Sequence, residues 1–198
     1  MDATEVPQTL ARALDPQWLS QALGQPIVKA EQVELIRTVA TKVRFLAHPA
    51  NGSAPLALCL KGLLDANPMT ARGGPTMVKE ADFYGKVAPH VTVRVPELVT
   101  AVVDRDARQA VVIMCDLIAQ GAVFCSALDP FTADEAAASV EQIAALHAGH
   151  GLLADRPWIT RRIDDFATAP HLSAADLQAL LDDPRGDPLP AQTRDAAR

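Results

Sequence analysis

Cysteine, aromatic residues and long apolar runs are all scarce in this sequence. Its 198 residues include three cysteines and 4% aromatic residues. Cys59, Cys115 and Cys125 form no CxxC pair and are odd in number, so the sequence indicates neither a zinc ribbon nor a complete disulfide framework. No stretch reaches the roughly 18 apolar residues that a membrane span needs, and the first residues lack the apolar segment of a secretion signal. We therefore expect a cytoplasmic protein with no membrane partner.

Basic residues are also outnumbered by acidic ones. The chain has 18 Lys and Arg against 24 Asp and Glu, which gives a formal net charge of −6 and an isoelectric point of about 5.3. A dedicated nucleic-acid-binding protein needs a basic face that displaces counterions from phosphates, so this composition argues against that class. The 49% of hydrophobic residues is typical of a globular chain that buries its core in one large domain or two small lobes. A bound nucleotide is compatible with these figures.

Capping residues, turn signals and apolar periodicity predict the order helix, three strands, helix, two strands, then further helices. The predicted strands are Ile27–Arg37, Val39–Ala47, Leu56–Leu64, Leu98–Asp104 and Ala110–Met114. The predicted helices are a short one between Asp15 and Gly24, then Thr76–Ala88, one that begins at the capping box Thr132–Glu135, Pro157–Ala167 and Ser173–Leu181. This pattern indicates an α+β fold, with an antiparallel sheet of about five strands and one packed helix.

Lys61 is one of only five lysines, and it stands inside the apolar run Leu56–Leu64. Strand alternation places it on the face of Ala57 and Cys59, which are small enough to leave room for a ligand. Glu80 lies on a helical stripe whose other members are apolar or aromatic, namely Met77, Tyr84 and Val87. Because a buried charge without a partner is costly, we predict a Lys61–Glu80 ion pair, the type of pair that positions nucleotide phosphates in kinases. The alternative is that both side chains extend into solvent.

The apolar strand that ends at Met114 is followed by Cys115, Asp116 and Leu117. This segment lies where two lobes would join, and it fits an adenine hinge in which backbone groups contact the edge of the base. Side-chain identity matters little in such a hinge, so an ordinary strand end is the alternative interpretation.

Taken in order, these segments resemble the N-terminal half of the aminoglycoside phosphotransferase and ecdysteroid-kinase-like superfamily, which comprises small-molecule kinases with a protein-kinase-like fold. The segments that carry the resemblance are Leu58–Lys61, Glu80–Tyr84, Val93–Pro96, Met114–Leu117 and Ala144–Ala148. The resemblance implies a kinase-like N-lobe with an N-terminal helix over residues 1–117, then a hinge and an incomplete helical C-lobe over residues 118–198. It also implies that ATP binds this chain.

The resemblance assigns a role to each candidate residue. Lys61 would contact the ATP phosphates, Glu80 would hold Lys61, and the backbone from Met114 through Cys115 to Leu117 would bind adenine. The turn between the first two strands has no glycine, so the hydroxyls of Thr38 and Thr41 are the candidates for phosphate contacts there.

One family motif is missing from this chain. The resemblance calls for a catalytic loop of the kind His-Gly-Asp with an Asn five residues on, followed by a metal-binding Asp. The only asparagines are Asn51 and Asn67, and both precede the expected hinge. Catalytic residues are therefore not expected here, and Mg²⁺ is expected only in an intact phosphotransferase.

Two functions are compatible with this pattern. The first is the nucleotide-binding portion of an ATP-dependent small-molecule phosphotransferase whose catalytic half lies beyond Arg198, with an aminoglycoside, sugar, choline-like amine or steroid alcohol as acceptor. The second is a non-catalytic kinase-like binding or interaction module. In either case, an N-lobe without a complete C-lobe would leave apolar surface uncovered, and this surface would favour self-association.

Overall fold

The computed structural model describes residues 5–66, 74–125, 129–153, 156, 158 and 173–182. The helices are α1 Leu10–Ala13, α2 Pro16–Leu23, α3 Gly74–Lys86, α4 Ala133–Ala148 and α5 Ala174–Leu181, with short 3-10 turns at Ala88–His90 and His150–Leu153. The strands are β1 Ile27–Arg37, β2 Thr41–Pro49, β3 Leu56–Gly62, β4 Leu98–Asp104 and β5 Gln109–Cys115. The α+β class is confirmed, and all five strands were predicted to within a few residues. The helix predicted over Pro157–Ala167 lies, apart from Trp158, outside the described residues.

The five strands form one antiparallel sheet in the order β1-β2-β3-β5-β4. Consecutive strands are neighbours except where α3 intervenes between β3 and β4. The last strand, β5, returns to pair with β3, which makes β3 the central strand. The predicted five-stranded antiparallel sheet with a packed helix is therefore confirmed.

The first core lies on the sheet face that α1 and α2 cover. Asp15 caps α2 by accepting a hydrogen bond from the Trp18 N–H at 2.9 Å, and Gly24 ends the helix with a φ of 65°. The amphipathic α2 then buries Trp18 and Leu19 completely. The strand residues that complete this core include Val43, Phe45, Leu58, Leu60, Val111 and Ile113.

The second core lies on the opposite sheet face, beneath α3. Met77 and Ala81 of α3 pack there against Val112 and Met114 of β5. On the same face, β2 and β3 present the polar side chains that alternate with the first core, so this face is only partly apolar. The combination of a helix over one end and polar strand residues beside it creates the cavity described below.

The chain divides into two compact units, Met1–Arg156 and Pro157–Arg198. Helix α4 belongs to the first unit, where the Gln142 side chain accepts a hydrogen bond from the Arg94 N–H at 2.8 Å. The boundary expected after residue 117 therefore does not coincide with the division between compact units. Among the described residues, no helix is long and apolar enough to cross a membrane.

Candidate functional site

A cavity of about 460 Å³ lies on the α3 face of the sheet. This volume is within the range of roughly 300–1,000 Å³ that is common for small-molecule sites. Side chains from β1, β2, β3, α3, the end of β5 and the segment after it line the cavity. Those used below are Lys42, Arg44, Cys59, Lys61, Glu80, Tyr84, Met114, Cys115, Asp116 and Leu117. Five of the seven residues predicted for the site thus lie together.

The predicted ion pair between Lys61 and Glu80 is present at the cavity wall. The Lys61 ammonium donates to both carboxylate oxygens of Glu80, at 2.8 and 2.6 Å. The two side chains are 24% and 20% exposed. The alternative in which both reach solvent is therefore wrong. The pair forms because β3 alternation and the α3 apolar stripe direct the two side chains to the same space between strand and helix.

Tyr84 lies one helical turn after Glu80 on α3 and also lines the cavity. Burial raises the pKa of its phenol, and the nearby Glu80 carboxylate adds to this effect. Its ring contacts Phe83 edge to face, with the centroids 5.6 Å apart. Tyr84 therefore provides a neutral, half-buried aromatic wall beside the ion pair.

The backbone from Cys115 to Leu117 was predicted to be a hinge. The Cys115 N–H donates to the Glu97 carbonyl at 3.0 Å, and the Asp116 N–H donates to the Ala57 carbonyl at 3.1 Å. The Leu117 N–H has no protein acceptor among the described residues, while its carbonyl accepts from the Ala122 N–H at 2.9 Å. Of the three N–H groups, only that of Leu117 is thus available to a ligand.

Two thiols also border this end of the cavity. Burial raises the pKa of Cys59, and the nearby Asp116 carboxylate adds to the effect. The pKa of Cys115 is likewise raised, first by burial and then by Glu97, whose carboxylate lies 3.8 Å from the sulfur. Both groups are therefore neutral thiols at physiological pH, and they act as small, weakly polar walls.

An ion-pair network that the sequence pattern did not predict crosses the same end of the cavity. The Arg44 Nε donates to both oxygens of Asp116, at 3.1 and 3.0 Å, and Nη1 donates to Glu34 at 2.8 Å. Asp116 is buried and also accepts a hydrogen bond from the Ile118 N–H at 3.0 Å. The alternating pattern of β2 would have placed Arg44 on the Lys61 face, but nothing in the sequence indicated its pairing with Asp116.

The two threonines proposed as phosphate contacts do not border the cavity. Thr41 is only 3% exposed, and its hydroxyl donates to the Leu64 carbonyl at 3.3 Å. Thr41 lies on the same buried side of β2 as Val43 and Phe45. The prediction that its hydroxyl contacts phosphate is therefore wrong. The Thr38 hydroxyl donates to the Ala40 carbonyl at 3.0 Å within the β1–β2 turn. The Thr38 contact stabilises the turn, whereas the Thr41 contact joins β2 to the segment after β3.

Comparison with known proteins adds no assignment to this site. No protein-family model, no curated protein and no solved structure matches the chain. The kinase resemblance therefore depends on the residues and their geometry alone.

Proposed function

We propose that this cavity binds an adenine nucleotide, and that the chain is the nucleotide-binding portion of an ATP-dependent small-molecule phosphotransferase. The observation that carries the proposal is the Lys61–Glu80 ion pair at the wall of a ligand-sized cavity. A lysine on the third strand held by a glutamate of the following helix is the arrangement with which protein kinases position phosphates. The proposal includes a cytoplasmic setting, where ATP is abundant and the three free cysteines stay reduced.

The opposite end of the cavity supports binding of the base. The Leu117 N–H is an available donor, and Met114 and Cys59 provide apolar contact area beside it. The Arg44 guanidinium is held in place by Asp116 and Glu34, and a planar guanidinium stacks well on an aromatic ring. We therefore assign the phosphates to the Lys61 end and the base to the Leu117 end.

The chain's own residues support binding more strongly than catalysis. Among the described residues, no group of three or more His, Cys, Asp or Glu side chains is placed to hold a metal ion, so we assign no Mg²⁺ ligand among them. Of the two asparagines in the sequence, Asn51 lies in the β2–β3 turn and accepts a hydrogen bond from the Ser53 N–H, and Asn67 is outside the described residues. The second candidate function is a non-catalytic kinase-like binding module. Under the first candidate, Mg²⁺ and the small-molecule acceptor are held by other residues of the intact enzyme.

Titration calorimetry with ATP and Mg²⁺ tests the proposed site. We expect a dissociation constant in roughly the high micromolar range, about −5 kcal/mol, because part of the usual set of ligands is missing. Lys61→Ala removes a charge-assisted contact worth about 1.5–3 kcal/mol, so it should weaken binding about 10- to 100-fold. Lys29→Ala is the matched control, since Lys29 pairs with Glu31 on exposed β1 and does not line the cavity. ATP binding that survives Lys61→Ala would place the site elsewhere.

A further inference from the structure

A second lysine lies beside Lys61 in the cavity. The antiparallel register of β2 and β3 pairs Lys42 directly with Lys61. Directly opposed residues on neighbouring strands have Cβ atoms about 4.5–5.5 Å apart, and both side chains project to the same face. Both lysines line the cavity. A ligand that contacts one ammonium is therefore within reach of the other.

The cations of the cavity differ in their direct ion-pair partners. Lys61 is paired with Glu80, and Arg44 is shared by Asp116 and Glu34. In the part of the chain that the structure describes, Lys42 has no carboxylate within ion-pair distance, although it is partly buried. The lining has three cations, Lys42, Arg44 and Lys61, and three acids, Glu34, Glu80 and Asp116, but among the described residues Lys42 is the lining cation that no acid contacts directly.

The two opposed ammonium groups repel each other when no anion lies between them. Like charges directly opposite each other destabilise a strand pair, and Glu80 offsets only one of the two. A polyphosphate carries several negative charges along a short chain, so adjacent lysines can each contact a different phosphate. The β1–β2 turn has no glycine with which its backbone could approach phosphates closely, and the Thr41 hydroxyl is buried. Lys42 is the group placed to supply the missing contact.

We propose that Lys42 is a second phosphate-binding residue, which holds one phosphate of a polyphosphate chain while Lys61 holds another. The proposal depends on the proposed function in so far as the ligand is a nucleotide. It adds that the site selects by the number of phosphates, preferring nucleoside triphosphates to monophosphates. The selectivity arises from the side chains of Lys42 and Lys61 on the sheet, which take the place of the backbone N–H groups of a glycine-rich loop.

The test compares ATP, ADP, AMP and inorganic tripolyphosphate as probes of the folded chain, by calorimetry or by NMR titration for the weaker complexes. In the wild type we expect affinity to fall from ATP to ADP to AMP. Lys42→Ala should weaken ATP and tripolyphosphate binding about tenfold and change AMP binding by less than about threefold. Lys42→Arg keeps the charge and should retain most of the ATP affinity, whereas Lys42→Gln should behave like the alanine variant. Lys29→Ala serves again as the control for loss of a strand lysine.

The outcomes separate the two proposals. If Lys61→Ala loses ATP binding while Lys42→Ala retains it for every probe, the role of Lys42 is overturned and the nucleotide site stands. If tripolyphosphate binds as tightly as ATP and Lys42→Ala weakens both equally, Lys42 stands and the adenine site is overturned. If the wild type binds none of the four probes, both proposals are wrong. Circular dichroism of each variant shows that a loss of binding is not a loss of fold.

Discussion

Glu80 and Asp82, two residues apart on α3, form ion pairs on different sides of this helix. Residues at this spacing point about 200° apart around a helix. Glu80 faces the cavity and pairs with Lys61 of β3, whereas Asp82 is 3% exposed and faces the β4–β5 turn. Asp82 accepts hydrogen bonds from both terminal nitrogens of Arg105, at 2.9 and 2.7 Å, and pairs with Lys86 at 2.6 Å. The position of Glu80 in the cavity therefore depends in part on an ion-pair cluster outside it.

Asp82→Asn should destabilise the protein, and the loss should depend on pH. The Arg105 hydrogen bonds lower the pKa of the Asp82 carboxyl more than burial raises it, and Lys86 lowers it further. A group whose pKa is lower in the folded state stabilises fully above its unfolded pKa, and this stabilisation is lost as pH falls through the folded value. We expect a cost of about 1–3 kcal/mol in the free energy of unfolding at neutral pH. The difference between wild type and variant should shrink as pH falls from about 5 towards 2.

Urea unfolding at a series of pH values measures this difference. Other carboxylates with lowered pKa values, such as Glu31 and Glu135, are present in both proteins and cancel in the comparison. Asp106→Asn is the matched control because Asp106 is an exposed acid on the same turn. A stability difference that stays constant over the whole pH series would contradict the assignment to Asp82.

At the scale of elements, the central strand β3 holds both halves of the site together. It pairs with β2, which carries Lys42 and Arg44, and with β5, which leads into Asp116. At its end, Gly62 lies opposite Val111 of β5. A Cβ added at Gly62 would lie 2.7 Å from Val111 Cγ2, which is closer than van der Waals contact permits. Glycine at this position lets β3 and β5 pair immediately after Lys61.

Gly62→Ala should therefore disturb fold and site together. Valine is rigid about χ1, so the clash forces the two strands to shift. Overpacking of this kind costs about 1–3 kcal/mol in unfolding free energy. Because Lys61 is the adjacent residue, we also expect weaker ATP binding. Thermal unfolding and ATP titration measure the two effects.

Two further variants make this prediction specific. Gly85→Ala in α3 meets no atom within 4 Å of the new Cβ, and alanine is the better helix former, so it should leave stability unchanged or raise it by up to about 1 kcal/mol. Val111→Ala removes the clashing methyl group, so the double variant with Gly62→Ala should be more stable than the sum of the two single effects. If the stability losses of the two single variants simply add in the double variant, the clash with Val111 is not the cause of the Gly62→Ala effect.

At the scale of the whole molecule, the proposed function gives the chain only part of the groups that phosphoryl transfer needs. Phosphoryl transfer in kinases needs a phosphate-binding lysine, a base and metal ligands held in one geometry. Under the proposed function Lys61 would fill the first role, and the sequence contains no His-Gly-Asp motif with a following Asn for the others. The apolar side chains of Phe124, Val140 and Ile143 are well exposed in the first compact unit.

We expect the 198-residue chain to bind ATP without turning it over. Without positioned metal ligands the charge that develops on the transferred phosphoryl group is not neutralised, and losses of several orders of magnitude follow. A coupled assay of ADP release with a panel of amino and hydroxyl acceptors should give the rate of buffer alone. Turnover that disappears in Lys61→Ala would contradict this expectation and remove the case for a non-catalytic module. Activity only in a chain extended past Arg198 would favour the phosphotransferase.

The sequence by itself determined most of the features that depend on local spacing. Alternation and helical periodicity located the strands and α3, and the caps Asp15 and Gly24 delimited α2. The Lys61–Glu80 pair was predictable because each is the lone charge on an apolar or small-residue face. The burial of Thr41 could also have been predicted, because strand alternation places it on the same side of β2 as Val43.

Tertiary structure alone decided which faces meet. The strand order places β5 beside β3, and this order determines that Asp116 reaches Arg44, 72 positions earlier in the chain. The same packing brings Asp82 to Arg105 and leaves Lys42 opposite Lys61 with no ion-pair partner among the described residues. Alternation specifies the side of a strand on which a residue lies, but it carries no information about the neighbouring strand or its register. Long-range charge pairing depends on both, and so it appears only in the folded chain.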